Sequence, residues 1–572
     1  MNAKLYSALF SILLLSQLLW AQNQPLSEEL SLGKALPFNT FQSLASHRTL
    51  TLSTLESMVN DRNCIESLRQ YLGCITALQK LVRTLDPALS LNSISLATKA
   101  GARIEFSTEN LVITRALQPK TETLQTPQAI YNRVMEEHND LKKQFVPLYS
   151  TVLASRNPSI EKIITFVTNK FKGKITEEHI AGTMNALFSV VMDPHASFRG
   201  MKQLTDSVES ASSSFVGLGV ILGISEAGLK INDVVLNSGA HKAGLQRKDI
   251  ISKVDGKSLK GLDITSAMNL IRGEENSPVT LEIIRNSTPS VRVVVRKKIT
   301  QEIVQPDPFT VFGKTFGYIK YKNFMYEKGC AKIAEALDLF NKQNVFGAIL
   351  DLRDNGGGRV DISTCISSLF LGPGKIMAYF EQNTEGQQSI AASVTQHPIV
   401  FEKPLAILIN ENSASASELI AGAMKDYNRA LIVGQTSFGK GSAQSPVGKT
   451  DSFALYGTTG RFYHPSGYSN QSVGVTPHIA AYKYREPSDY ELYALREKDL
   501  FLIPLEPARI MISPQPEKLN RIFASQHCRA SRNPTELFDE APENTLLKDW
   551  QLVTAAAALG CYDQSLWRSG NL

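Results

Sequence analysis

The sequence predicts a multidomain α/β protein with a helical N-terminal region, and three observations carry that prediction. The chain's 572 residues, 43% of them apolar, suffice to bury several cores. Residues 306–482 alternate short apolar strands with helical stretches, the pattern of a mainly parallel layer. Residues 215–296 differ in texture, with short strands punctuated by turn glycines behind a Ser-rich joint at 207–214.

In chain order, the first element is an export signal. Lys4 supplies a positive end, residues 5–19 an apolar stretch, and Ala21 a small residue ahead of Gln22-Asn23-Gln24. Residues 1–21 are therefore read as a signal peptide, and the mature chain is expected outside the cytoplasm. Leu19 and Trp20 depart from a small-residue cleavage site, so an uncleaved signal would be the one membrane tie. No later stretch approaches the ~20 apolar residues that a spanning helix needs.

Residues 22–125, with Leu68, Leu72 and Ile75 at helical spacing, are expected to form a mostly helical N-terminal extension. Residues 126–206 are expected to be a scaffold of two helices, with Ile130, Val134, Leu141 and Phe145 on one apolar face. The glycine-punctuated module spans 207–298 and the α/β core 299–485. Within that core, strands are expected at 317–319, 345–352, 405–409 and 430–433, and helices at 330–340 and 416–426. Residues 486–572 read as a charged, helical C-terminal extension.

Composition excludes more than it assigns. A net charge of +6 on so long a chain gives no reason to expect nucleic acid or an anionic membrane as partner. Six cysteines permit disulfides in an oxidising compartment. Cys64 with Cys74 and Cys528 with Cys561 are the favoured pairs, and Cys330 and Cys365 fit buried thiols equally well. No cysteine spacing matches a zinc site, and neither metal nor cofactor is expected.

The run from Phe215 to Val220, continued by SGAHKAGLQRKDIISKVDG from Ser238 to Gly256, resembles a PDZ domain of the bacterial protease type. Gly217 and Gly219 let successive N–H groups converge into a nest for a carboxylate. A peptide would add as a strand beside Val220, with its terminal carboxylate held along Val216, Gly217, Leu218, Gly219 and Val220. A small β-domain using the same glycines merely for turns is the plain alternative.

The chemistry gathers in three stretches: GAILDLRDNGGG at 347–358, LINENSASASELIAGAMKDY at 408–427 and ALIVGQTSFGKGSAQ at 430–444. Ser413, Ser415 and Ser417 sit where a strand gives way to a helix, so a hydroxyl there would lie among unpaired backbone N–H groups. The same residues would also serve as simple helix caps. A serine hydroxyl needs a base to become nucleophilic, and Lys440 is the candidate. A lysine at its free value of about 10.4 is protonated at neutral pH, whereas burial favours the neutral amine. The glycines of Phe438-Gly439-Lys440-Gly441 permit close packing, and Gln444 can accept from the amine without adding negative charge.

Gly434, Gly439 and Lys440 also match most of a phosphate-binding loop, but Gly441 stands where Ser or Thr would bind magnesium and no helix follows. Asp426, at a helix end, reads as structural. His195, in Asp193-Pro194-His195, reads as a turn residue, and the chain has no G-x-S-x-G elbow for a Ser-His-Asp site.

Taken together in this order, these stretches resemble the carboxyl-terminal processing, or tail-specific, peptidase family across roughly residues 126–482. That resemblance implies a crotonase-like protease core with a PDZ domain, and a serine–lysine endopeptidase acting in the bacterial periplasm. It selects Ser415 as nucleophile, with Lys440 as general base and Gln444 as its orienting partner. The oxyanion hole it implies is the Ala416 N–H with a glycine amide of Asn355-Gly356-Gly357-Gly358, Gly357 foremost; Gly356 stands where the family commonly has proline. Its partners would be proteins or peptides with accessible C-termini, and an adaptor or activator protein and an oligomer are compatible with the pattern. A silent relative that only binds tails is the rival reading, and it has no need of the lysine.

Overall fold

The computed structural model describes residues 50–94, 96, 103–116, 127–155, 160–200, 214–225, 227–234, 238–246, 248–260, 264–300, 304–384, 387–449, 453–483, 487, 489–512, 515–516 and 546–560. The signal sequence, Cys528 and Cys561 lie outside them. The chain divides into two compact units, one of residues 50–117 with 141–192, the other of 118–140 with 193–572. The sequence-based division near residue 125 cuts the chain differently, because it followed texture along the chain rather than packing.

In the first unit, α1 (Leu52–Met58), α2 (Asp61–Cys64) and α3 (Leu68–Leu85) each begin behind a side chain that accepts an N3 amide: Thr51, Asn60 and Ser67. Leu68, Tyr71, Leu72, Ile75, Leu78 and Val82 line the buried face of α3. Strands β1 (Leu89–Ser93), β2 (Arg103–Ser107) and β3 (Leu111–Arg115) follow as an antiparallel sheet ordered β1-β3-β2. Their short, Ser- and Arg-containing sequences conceal this sheet from a reading that expected helix. Three helices then replace the expected two: α4 (Pro127–Ser155), of which residues 141–155 belong to this unit, α5 (Ile160–Lys170) and α6 (Glu177–Val191). Phe145 is buried but Ile130 is 40% exposed, so the apolar face read along α4 does not run its full length. Helices α3 and α6 cross at Gly73, where a Cβ would come within 2.3 Å of Val191 Cγ1. Cys64 and Cys74 are disulfide-bonded, joining α2 to α3.

The second unit begins with β4 (Ser197–Gly200) and a two-stranded ribbon, β5 (Ser214–Gly217) with β12 (Lys297–Thr300), whose strands flank the PDZ module at its two ends. Between them lies a sheet ordered β11-β10-β8-β7-β6, from β6 (Val220–Ser225), β7 (Gly228–Val234), β8 (Ile250–Val254), β10 (Pro278–Arg285) and β11 (Thr288–Val295). Helices α7 (Gly239–Lys242) and α8 (Ile264–Ile271) complete the module. Asp249 is clamped by Arg285 at 2.7 and 2.8 Å. Burial alone would raise its carboxyl; the guanidinium and the Gln246 amide hold it below the usual range.

The α/β layer is a sheet ordered β13-β14-β15-β18-β19-β22. It comprises β13 (Val304–Val311), β14 (Lys314–Tyr321), β15 (Gly347–Asp351), β18 (Leu405–Ile409), β19 (Leu431–Gly434) and β22 (Ile479–Ala480). All neighbours are parallel except the hairpin β13–β14. The crossover helices are α9 (Gly329–Lys342), α10 (Val360–Leu371) and α11 (Ala416–Asp426). The expected strands and helices match these closely, because runs buried on both faces stay apolar throughout. Leu405, Ile407 and Ile409 point into the cluster formed with α9, α10 and α11, while Ala406 and Leu408 point into the opposite one. Cys330 of α9 and Cys365 of α10 form a disulfide rather than two thiols.

The opposite face is covered by α14 (Trp550–Gly560), through Leu552, Ala555, Ala556 and Leu559. This helix, assigned by sequence to a separate extension, is therefore part of the core layer. It is tied down by Gln551 Nε2, which donates to Ile409 O and Val433 O at 2.9 and 3.0 Å. Arg353, just past β15, adds an ion bridge: Nη2 lies 2.6 Å from Asp351 Oδ2 and 2.7 Å from Asp549 Oδ2. A second sheet, β17-β16-β21-β20 with β4 beside β21, is built from β16 (Ile376–Thr384), β17 (Gln387–Val394), β20 (Ser442–Lys449) and β21 (Phe453–Tyr463).

Candidate active site

Residues at the carboxyl ends of parallel strands converge where crossovers leave the sheet, and the three chemistry-bearing stretches leave β15, β18 and β19 there. Ser415 is the N-cap of α11 with φ 54 and ψ −115, a strained turn that non-glycine residues rarely adopt. The two neighbouring serines are bonded differently. The Ser413 hydroxyl donates to Leu352 O at 2.8 Å and that of Ser417 to Asn355 O at 2.7 Å, both fully buried. The Ser415 hydroxyl, half-buried, donates to no acceptor among the described residues.

The glycine loop meets this turn. A Cβ on Gly357 would stand 2.7 Å from Ala414 O and 2.8 Å from both Ala416 N and Ser415 Cβ, and its φ of +98 excludes other residues on strain alone. Ala416 N–H has no acceptor among the described residues, so an oxyanion donor is available at the helix start. The Gly357 N–H is instead occupied by Asn355 Oδ1 at 3.0 Å. The Gly357 amide, the expected second oxyanion donor, is thus engaged inside its own loop. A Cβ at Gly356 would meet nothing within 4 Å, leaving room for the family's proline.

Lys440 is half-buried, and its Nζ donates to Gln444 Oε1 at 2.5 Å. Gln444 lies on β20, and its amide nitrogen donates to Ser442 Oγ at 3.0 Å and Thr458 Oγ1 at 3.1 Å, which turns its oxygen towards the amine. Burial lowers the ammonium below its ordinary value. The surrounding charges partly oppose that: Glu497, Asp193 and Glu418 raise it and Arg199 lowers it. None of the three carboxylates is bonded to Nζ among the described residues, where its partner is the uncharged Gln444 amide. No hydrogen bond joins Nζ to the Ser415 hydroxyl among the described residues.

What connects the two halves is Glu418, which sequence reasoning missed. It is fully buried in the first turn of α11. Its Oε2 accepts from Ser415 N and Lys440 N, both at 2.9 Å, and its Oε1 from Ser437 Oγ at 2.5 Å and Gly439 N at 2.8 Å. Burial pushes this carboxyl up to about 7, against the pull of those donors. The signal was present in the Ser-x-x-Glu spacing of a capping box, Ser415 to Glu418. Glu418→Ala strands four buried donors; at about 1–3 kcal/mol for an unsatisfied group, a loss of at least about 3 kcal/mol in urea unfolding is expected. A drop in kcat should accompany it.

The remaining sequence-singled residues fall as follows. Asp426 accepts from Ser466 N at 2.8 Å, a structural cap. His195 donates its backbone N–H to Asp193 Oδ1 at 3.0 Å in the expected turn, while its Nε2 lies 2.6 Å from Glu497 Oε1. Ser442 opens a strand, not a helix, after the loop that mimics a phosphate site. In the PDZ module, Val216 and Gly217 are strand residues paired with Lys298 and Lys297, and Leu218 and Gly219 form the turn into β6. Leu218 O accepts Ala240 N at 2.8 Å, its side chain is 2% exposed, and β6 is the sheet edge. Neither the Leu218 nor the Gly219 N–H has an acceptor among the described residues. Those residues hold no group of three His, Cys, Asp or Glu that could bind a metal, and no helix long and apolar enough to cross a membrane.

Comparison with known proteins gives the family. Residues 315–481 match peptidase family S41 and residues 230–285 match the PDZ domain. The "Carboxy-terminal-processing protease" of Bartonella bacilliformis is 32% identical over 57% of this chain and 74% of that protein. A Staphylococcus aureus protein named "Probable CtpA-like serine protease" is 28% identical over 56% of this chain and 64% of its own length. A solved structure of a photosystem II D1 C-terminal processing protease shares 23% identity over 63% of this chain and 94% of that one, with a TM-score of 0.37, too low to support an assignment by itself. The chain belongs to the S41 family of carboxy-terminal-processing peptidases, as a serine-type peptidase with a PDZ domain ahead of its catalytic core.

Proposed function

We propose that this chain is an exported serine endopeptidase that recognises polypeptide C-termini through its PDZ domain and cleaves by a serine–lysine mechanism. The observation that carries the reading is the tie through Glu418, which fixes the Ser415 turn and the Lys440 loop in one frame. Ser415 Oγ attacks the scissile carbonyl as its proton passes to Lys440 Nζ, and the oxyanion forms against Ala416 N–H. The ammonium so formed protonates the leaving nitrogen, and the regenerated amine deprotonates the water that hydrolyses the acyl-enzyme, returning that proton to Ser415 Oγ. Nζ must turn from Gln444 towards the hydroxyl, and the Gly357 amide must leave Asn355 to serve as a second donor.

Among the described residues β6 is the sheet edge and the amides of Leu218 and Gly219 have no acceptor, which supports strand addition of a peptide with its carboxylate at that turn. Two disulfides fit an oxidising compartment, in line with export to a periplasm. The test compares wild type with Ser415→Ala on an unfolded protein bearing an apolar C-terminus. Loss of cutting with retained binding of the tail is expected, and cutting by Ser415→Ala contradicts the proposal. Deleting the PDZ module should abolish the preference for the tailed substrate over one capped by an amide.

A further inference from the structure

The lysine loop is gripped from outside its own sequence, and the grip contains a charge that no step above uses. Glu497 is wholly buried in α13 (Glu497–Leu500), which follows α12 (Asp489–Leu492), and its backbone N–H donates to Phe438 O at 3.2 Å, two residues before the lysine. Its Oε1 meets His195 Nε2 at 2.6 Å and Gln471 Nε2 at 2.9 Å, and Gln471 in turn accepts Gly441 N at 2.9 Å, one residue past the lysine. Its Oε2 is buried with no hydrogen-bond partner among the described residues. A second branch reaches the base from the same turn: Asp193 Oδ2 accepts Thr458 N at 2.7 Å, and Thr458 holds Gln444.

A buried carboxylate so placed should hold a nearby amine in its charged form and spoil it as a base. Resting on the serine–lysine reading, we propose that His195 is a positioning residue that, as imidazolium, compensates Glu497 and so leaves Lys440 free to act as a neutral base. The cationic ring and the carboxylate form a neutral pair beside the amine, whereas a neutral ring leaves a net negative charge there. The His195 ring is boxed for this role, lying edge-on to Phe501 at 5.1 Å between centroids, with Asp193 bonded to its own backbone. The other charges facing Lys440 are Asp193, Glu418 and the Arg199 guanidinium, which stacks on Tyr456.

The full chain is tested by pH profiles of kcat/KM for His195→Gln, Glu497→Gln and the double variant. His195→Gln should move the rising limb about one pH unit upward, about tenfold in activity at pH 7, with activity recovered at alkaline pH. Glu497→Gln should move it downward, and the double variant should return to the wild-type limb or below, since removing the carboxylate removes the need for the cation. A uniform loss at every pH in His195→Gln that the double variant fails to rescue overturns the proposal in favour of a packing role. Lys440→Met separates the two layers: if it keeps a pH-dependent activity that His195→Gln abolishes, the imidazole is itself the base and both readings fall.

Discussion

Lys440→Met is expected to lower kcat/KM on an unfolded, tailed substrate by at least about 10³-fold, with the circular dichroism spectrum and the unfolding midpoint nearly unchanged. Methionine fills the space of the lysine stem but cannot accept a proton. The wild-type rate should rise with pH as the amine loses its proton, and burial places that limb below the ordinary lysine value of 10.5. The sign follows from the reactive form: the neutral amine is the base, so lowering pH removes activity. The variant should show neither the limb nor the rate. Activity surviving in Lys440→Met would require another base near Ser415.

Arg353→Met carries the largest expected effect on stability. The guanidinium joins Asp351, at the end of β15, to Asp549, which leads into α14, and Tyr318 donates to Asp351 Oδ2 at 2.6 Å. Burial alone would raise the Asp351 carboxyl; Arg353 overrides it and holds the group below the usual range. Removing the cation leaves a fully buried carboxylate uncompensated, at a cost of about 3–5 kcal/mol. Urea unfolding of the full chain should show that loss, and proteolysis should fall with it, since Arg353 begins the loop that carries Gly357. Adding Asp351→Asn should restore part of the stability, because the orphaned charge is then gone. A midpoint unchanged in Arg353→Met would mean that α14 is not anchored this way.

The sequence made the catalytic layer legible because its strands are apolar on both faces and its helix α11 begins at a run of small residues. Which serine to choose was not legible from spacing, since Ser413, Ser415 and Ser417 are chemically alike. Only the packing shows two of them spent on the carbonyls of Leu352 and Asn355. Distant sequence also hid the shell around Lys440: Asp193, Thr458, Gln471 and Glu497 have no local pattern, and Glu497 lies in a stretch that read as an extension. The N-terminal sheet escaped for the opposite reason, because strands as short and mixed as Arg103–Ser107 have too weak an alternation to outweigh nearby helix.

The most direct measurement is the pH dependence of covalent labelling by a fluorophosphonate, followed by intact mass and peptide mapping in the presence of a tailed peptide. One adduct on Ser415 is expected, with a labelling rate that rises with pH in wild type and is slow and flat in Lys440→Met. Labelling at another residue, or an equally fast rate without the lysine amine, would contradict the serine–lysine account.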